Sequence, residues 1–347
     1  MRLEEIGFYT LSDRRASTAN EFSELARCEI VLTDRCNFSC PYCRGLREDI
    51  RGDMPFEFAS YILNGWCAHG LKNVRFSGGE PMLYKQLPKL VELCAKRGVE
   101  RIAVSTNGSL PPSLYSRLID AGVSDFSVSF DACCSSTGAT MSGRDEETWY
   151  RVVDCIEYLA SQVYTTVGVV LTKENLPELD TIVQLADTLG VADIRIIPAA
   201  QYSRELRKVR LDNALLEKYP ILDYRIKNVL AGKPVRGLSK EDNKKCPLVL
   251  DDMAVAGHYH FPCIIYMREQ GNPIGQAGVD MGAVRESRAR WYQTHDCYAD
   301  PICSKNCLDV CVDYNNRWAS YGDETQHEEN LLNQLGISIE GINKCVN

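Results

Sequence analysis

The chain has 347 residues, 45% of them apolar and 25% charged, which is the composition of an ordinary folded globular protein. Its net charge of -8 is spread along the sequence with no basic block, which argues against duplex nucleic acid as a partner. No apolar run approaches the ~18 residues a membrane span needs, and no signal-peptide pattern opens the chain, so a cytoplasmic protein is expected.

Residues 1–27 read as a short N-terminal extension. From 28 to about 200, β-rich runs alternate with amphipathic stretches. Strands are expected at 28–32, 74–77, 101–105, 125–130, 165–171 and 193–197, each closed by polar or Gly-containing turn residues. Between them the apolar spacing takes the helical period. Leu83, Leu87, Leu90, Val91 and Cys94 share one face, as do Trp149, Val152, Val153, Ile156 and Ala160, and then Leu179, Ile182, Val183, Ala186 and Leu189. Pro88 and Pro177 sit where a first helical turn tolerates proline. Six β–α units in series predict an α/β fold with a parallel sheet, curled by right-handed crossovers into a partial (β/α)6 barrel. Residues 201–245 are charged, as in Arg204-Glu205-Leu206-Arg207-Lys208, and read as a helical linker. Residues 246–347 are rich in Cys, Gly and Tyr, a segment whose thin apolar core would depend on metal cross-links.

Sixteen cysteines are the compositional outlier. In a large chain without an export signal, grouped cysteines point to metal or iron–sulfur binding rather than disulfides. Three fall within 36–43 and seven at or beyond 246. The scattered Cys28, Cys67, Cys94, Cys133, Cys134 and Cys155 read mostly as small core residues.

Ligands of parallel sheets collect at the carboxyl ends of the strands. There the sequence places Cys36-Asn37-Phe38-Ser39-Cys40-Pro41-Tyr42-Cys43 after the first strand and Ser77-Gly78-Gly79-Glu80-Pro81 after the second. Three thiolates on one loop can hold three irons of a cubane and leave the fourth open to chelate a small ligand; a zinc loop is the alternative. The two glycines admit close backbone approach, and a carboxylate can take an ammonium group.

One β–α unit apart, these two motifs resemble those of the radical S-adenosylmethionine (SAM) superfamily. The resemblance implies a [4Fe–4S] cluster on Cys36, Cys40 and Cys43 whose free iron binds SAM. It also implies Tyr42 near the adenine, and Gly78, Gly79 and Glu80 at the methionine ammonium. Thr106, Asn107, Ser129 and Asp131 would hold the ribose, and Pro198 of the sixth strand would flank the adenine. For Thr106 and Asn107 the alternative is an ordinary turn, and for Ser129 a barrel-filling side chain. The runs Leu32-Thr33-Asp34-Arg35-Cys36 and Val104-Ser105-Thr106-Asn107-Gly108 most resemble the branch containing the GTP cyclase of molybdenum-cofactor synthesis. The chain ends Glu340-Gly341-Ile342-Asn343-Lys344-Cys345-Val346-Asn347, without the Gly- and Arg-rich tail of that cyclase, which argues against the cyclase itself.

Cys246, then Gly257 and Cys263, then Cys297-x5-Cys303-x3-Cys307-x3-Cys311, and finally Cys345 resemble a SPASM or twitch domain. Such a domain implies one or two auxiliary [4Fe–4S] clusters. Thr294 stands where the family has a cysteine, Gly257 precedes Cys263 by one residue too many, and Cys311 is extra and could substitute. A structural zinc site is the alternative, and His258, His260 and His295 read as core or surface histidines rather than ligands.

The activity implied is reductive cleavage of SAM to a 5′-deoxyadenosyl radical, which takes a hydrogen atom from the substrate. An oxidoreductase, of dehydrogenase type, or an epimerase would result, with the electron coming from a flavodoxin- or ferredoxin-type donor. Cys133 and Cys134 are candidate hydrogen donors in the epimerase case, against simple packing under a loop. Only 27 residues precede the first strand, which tilts the substrate toward a sugar, aminocyclitol or nucleoside and away from a leader-guided peptide or protein. The rival of another class is a non-enzymatic iron–sulfur or zinc protein.

Overall fold

The structure, a computed structural model, describes residues 14–199 and 211–334. The Arg204–Lys208 stretch, Cys345 and the chain end discussed above lie outside the described residues. Strands β1 (Arg27–Val31), β2 (Asn73–Ser77), β3 (Arg101–Thr106), β4 (Asp125–Ser129), β5 (Tyr164–Leu171) and β6 (Asp193–Pro198) fall within one residue of the expected limits. Each pairs in parallel with the next, so their carboxyl ends share one rim. The sheet stays open, as a partial barrel.

Helices α1 (Phe56–Ala68), α2 (Leu87–Lys96), α3 (Pro112–Ala121), α4 (Ser135–Ser142), α5 (Glu146–Gln162) and α6 (Leu179–Thr188) fill the crossovers. The stripes of α2 and α6 face the sheet as their spacing requires, whereas α5 buries Thr148, Val152, Cys155, Ile156 and Leu159 and shares only Val152 and Ile156 with its expected face. Leu87, Leu90, Val91 and Cys94 of α2 are buried, as are Leu179, Ile182, Val183 and Ala186 of α6. Each large aliphatic side chain so buried contributes roughly 1.5–3 kcal/mol. Helix α5 starts where Asp145 accepts a hydrogen bond from the Thr148 amide at 2.8 Å, with Glu146 and Glu147 in the first turn favoured by the helix dipole. Pro177 lies in a 3₁₀ turn, Leu176–Glu178, just ahead of α6 rather than within it.

Helices α7 (Asn213–Lys218) and α8 (Pro220–Leu230) follow, with α8 packed beside β6. The Cys-rich segment does not stand apart from the sheet. Its strand β7 (Asp252–Ala256) pairs in parallel with β1, from Arg27 opposite Asp252 to Val31 opposite Ala256. Strands β8 (Tyr259–Phe261) and β9 (Gly275–Gln276) add antiparallel, giving one nine-stranded sheet in the order β6-β5-β4-β3-β2-β1-β7-β8-β9. The remaining helices are α9 (Ile264–Arg268), α10 (Met281–Thr294), α11 (Cys303–Asn306) and α12 (Asp309–Gln334). One apolar cluster here gathers Ala16, Leu248, Ile265, Leu308, Cys311 and Tyr314, with further cysteines packed on it, while Ala254, Phe261 and Met267 belong to another and Met253, Val255 and Val284 join the main core. Among the described residues, no helix is long and apolar enough to cross a membrane.

Candidate active site

A cavity of about 280 Å³ opens at the carboxyl rim of the sheet. Cys36, Cys40 and Cys43 all line it, and among the described residues no fourth cysteine does. Their loop is held by its neighbours on two sides. The Ser39 amide donates to the Ser142 carbonyl at 2.8 Å, and Asn107 Nδ2 donates to Asn37 Oδ1 at 2.8 Å. Backbone amides also point at sulfur: Phe38 N lies 3.4 Å from Cys36 Sγ and Gly45 N lies 3.3 Å from Cys43 Sγ. Such N–H···S bonds favour the thiolate that a metal needs. Burial pushes the Cys40 thiol up to about 12 and raises that of Cys36, so loading a metal here must displace protons.

Gly78 and Gly79 line the same cavity, and packing explains why they are glycines. A Cβ on Gly78 would sit 2.4 Å from the Thr33 carbonyl oxygen, and one on Gly79 would sit 2.3 Å from that of Arg35. The Gly79 amide donates to the Thr33 carbonyl and the Glu80 amide to the Arg35 carbonyl, each at 2.8 Å. The glycine turn therefore docks directly against the backbone that leads into Cys36.

Glu80 does not face the cavity. Its carboxylate is fully buried and accepts from Thr106 Oγ1 at 2.8 Å, the Met82 amide at 3.1 Å and the Asn107 amide at 2.7 Å. Burial pushes this carboxyl up to about 7. It ties the glycine turn to the end of β3, so the expected direct contact with an ammonium becomes a positioning role.

Thr106, Asn107, Ser129, Asp131 and Tyr42 all line the cavity. The Tyr42 hydroxyl donates to Asp131 Oδ2, and Asp131 Oδ1 accepts from the Val170 amide at 2.6 Å. Burial lifts Asp131 to about 6, and burial followed by the Asp131 charge lifts the Tyr42 hydroxyl. Pro198 is buried away from the cavity, its carbonyl accepting from Arg236 at 3.2 Å. Cys133 and Cys134 do not line it either. Cys133 donates to Glu178 at 3.2 Å, and burial, then that bond, pushes its thiol up to about 12. The Cys134 thiol is lowered by bonds from Ser136 and Thr137 at the start of α4.

Sequence reasoning missed Arg268, the only cation lining the cavity among the described residues. It closes α9, five residues after Cys263, and donates to the Gly45 carbonyl at 2.9 Å and to the Gly78 carbonyl at 3.1 Å. Glu29, which takes the Ser77 hydroxyl at 2.6 Å, also reaches the cavity from β1.

Cys246, Cys263, Cys297, Cys303, Cys307 and Cys311 surround a second, narrower cavity. The Cys297 thiol, then burial, raises Cys246; Cys311 acts likewise on Cys307, and burial raises Cys263. Thr294 is exposed and donates to the Arg290 carbonyl at 2.8 Å, so it takes no part. His295 does turn toward the group. Its Nε2 is 3.7 Å from Cys303 Sγ, and its potential ligand atom and those of Cys297 and Cys303 lie within 4.8 Å of one another. His258 packs edge-on to Phe58 at 4.7 Å, and His260 is wholly buried.

Residues 30–186 match the family model of the Radical SAM superfamily. Curated relatives include the GTP 3′,8-cyclase of Staphylococcus haemolyticus, 31% identical over 188 residues that cover 51% of this chain and 50% of the relative. The probable GTP 3′,8-cyclase of Metallosphaera sedula is 28% identical over 48% of this chain and 54% of its own. The chain thus spans about half the length of the curated relatives it matches. Among solved structures, Streptococcus suis SuiB bound to S-adenosylmethionine superposes with a TM-score of 0.57 at 16% identity, covering 85% of this chain and 70% of SuiB. Native anSMEcpe with bound AdoMet gives 0.57 at 16% identity, over 89% of this chain and 100% of that one. At such identity the likeness is one of fold. Residues 30–186 of the chain are a radical SAM domain.

Proposed function

We propose that Cys36, Cys40 and Cys43 hold a [4Fe–4S] cluster with one iron free for SAM, and that the 280 Å³ cavity is where SAM and substrate meet. The observation that carries this reading is three cysteines, and no fourth among the described residues, lining one cavity. Bound there, the cluster would supply the electron that cleaves SAM into methionine and a 5′-deoxyadenosyl radical able to take hydrogen from an unactivated carbon. The protein's own part is to hold and to exclude. Gly78 and Gly79 bring backbone carbonyls to the methionine ammonium, Asp131 and Ser129 offer acceptors to the ribose, and Tyr42 walls the adenine side. Apolar Phe38, Met141, Val152 and Trp149 keep water from the reacting carbon.

The six cysteines around the second cavity support an auxiliary [4Fe–4S] cluster. They share one cavity rather than two, which favours a single cluster with two thiols to spare. Cys345 remains a further candidate ligand. Such a cluster suits an electron acceptor, and Cys133 and Cys134 stand off the cavity, so oxidation of dehydrogenase type is favoured over epimerisation. The substrate is a small molecule, a sugar, aminocyclitol or nucleoside. The nucleotide cyclases among the relatives favour the nucleoside class. A flavodoxin- or ferredoxin-type protein would deliver the electron, in the cytoplasm, where thiols stay reduced.

The test is anaerobic reconstitution with iron and sulfide, then dithionite and SAM without substrate. Formation of 5′-deoxyadenosine is expected, and replacing Cys36, Cys40 or Cys43 by Ala should abolish it. A fully loaded protein that yields none would turn the reading to a non-enzymatic iron–sulfur protein.

A further inference from the structure

Arg288 of α10 is 1% exposed and lines neither of the two cysteine cavities. A guanidinium has five N–H groups, and each of these meets an acceptor. Nε donates to the Val249 carbonyl at 2.7 Å. Nη1 donates to the Phe261 carbonyl at 3.0 Å and to His260 Nδ1 at 3.1 Å. Nη2 donates to the carbonyls of Asp252 and of Pro262, the latter at 3.3 Å. All five acceptors are neutral. His260 is kept uncharged by burial and then by Arg288 itself, which push it down to about 3.

Among the described residues, no carboxylate forms an ion pair with Arg288. The Asp252 carboxyl is near enough to be felt, but burial pushes it up to about 7. Asp251 is engaged by Arg15 and by Arg27 at 3.9 Å. Burial lowers Arg288 only to about 10, so it is a cation at neutral pH. A buried, hydrogen-bonded cation whose nearest carboxyl is only partly ionised is costly, which calls for a further negative group nearby in the loaded protein.

The segments that Arg288 grips identify that group. Val249 belongs to the 3₁₀ turn Pro247–Leu250 that follows Cys246, and Pro262 precedes Cys263. A cluster held by thiolates carries net negative charge and gains more on reduction. We propose that Arg288 is the built-in counter-charge of the auxiliary cluster, a positioning residue that fixes the segments bearing Cys246 and Cys263 and makes that cluster easier to reduce. This rests on the auxiliary-cluster reading above.

The test uses the full chain with Cys36, Cys40 and Cys43 replaced by Ala, so that only the C-terminal site loads. Reconstitution should leave about four irons per chain. None would overturn the auxiliary reading and this inference together. In that background, an EPR-monitored redox titration of Arg288→Gln should shift the equilibrium about tenfold toward the oxidised cluster, about 59 mV more negative for one electron. An unchanged potential at full iron would overturn the role of Arg288 alone. If the Gln variant does not load, Arg288→Lys decides, because a buried ammonium loses its proton far more readily than a guanidinium. Its potential should fall more steeply with pH than the parent's between about 7 and about 9, and parallel profiles would overturn the proposal.

Discussion

Glu80 uses both carboxylate oxygens on protein donors, one on Thr106 and Met82 and the other on the Asn107 amide. An amide in its place would point an N–H at the Asn107 N–H. Glu80→Gln should therefore cost about 1–3 kcal/mol of stability and weaken SAM binding, as read by urea unfolding and by titration with SAM. The carboxyl also gives a pH signature. Its folded value of about 7 lies above its ordinary value of 4.5, so the folded chain holds the proton more tightly than the unfolded one. That stability is complete below the unfolded value and is lost as pH rises through the folded one, by up to about 3 kcal/mol. The cluster-free wild type should lose more stability than Glu80→Gln between about pH 5 and about pH 8; parallel curves would contradict the assignment. Gly79→Ala places a methyl against the carbonyls of Arg35 and Asp34 and should abolish iron loading at the first site without unfolding the chain. Cys133→Ala and Cys134→Ala should leave 5′-deoxyadenosine formation intact, since neither thiol reaches the cavity.

Helix α9 is short, yet it carries Cys263 immediately before it and Arg268 at its end. One turn of chain thus connects the second cysteine site to the carbonyls of Gly45 and Gly78 beside the first. Hydrogen bonds from a charged donor are worth about 1.5–3 kcal/mol each, so Arg268→Gln should weaken SAM binding by roughly tenfold or more. Titration of the reconstituted protein with SAM checks this, and an unchanged affinity would remove Arg268 from the account. The six barrel strands and the loops after them were readable because β-rich runs and helical stripes alternate over many residues, and because three cysteines on one loop have few other uses. Arg268 was not readable. Its contact with Gly78 joins residues 190 positions apart, and nothing local marks it. Glu80 was placed in the right turn but facing the wrong way, because a motif fixes the backbone and leaves the side chain's direction to packing. Arg288 gave no signal for the same reason: its partners are carbonyls, which sequence does not distinguish.

At the scale of the molecule, β7 is the element that composition hid. Asp-Met-Ala-Val-Ala at 252–256 lies in a Cys-rich stretch with no β–α repeat, yet it covers the free edge of β1. Strand β1 also leads into the first cysteine loop, so the two cysteine sites are built on adjacent strands of one sheet. A chain ended after residue 245 would leave that edge and its buried residues bare, and it should aggregate rather than give a folded monomer. Size-exclusion chromatography with circular dichroism would show this; a stable, helical monomer would mean that the segments fold independently. Mössbauer spectra of ⁵⁷Fe-loaded protein, with Cys246, Cys263, Cys297, Cys303, Cys307 and Cys311 replaced by Ala, isolate the first cluster. Adding SAM should change the signal of a single iron site and leave the others as they were. Iron sites that stay alike and indifferent to SAM would mean that the polypeptide ligates all of them, and the radical SAM assignment of this cavity would fall.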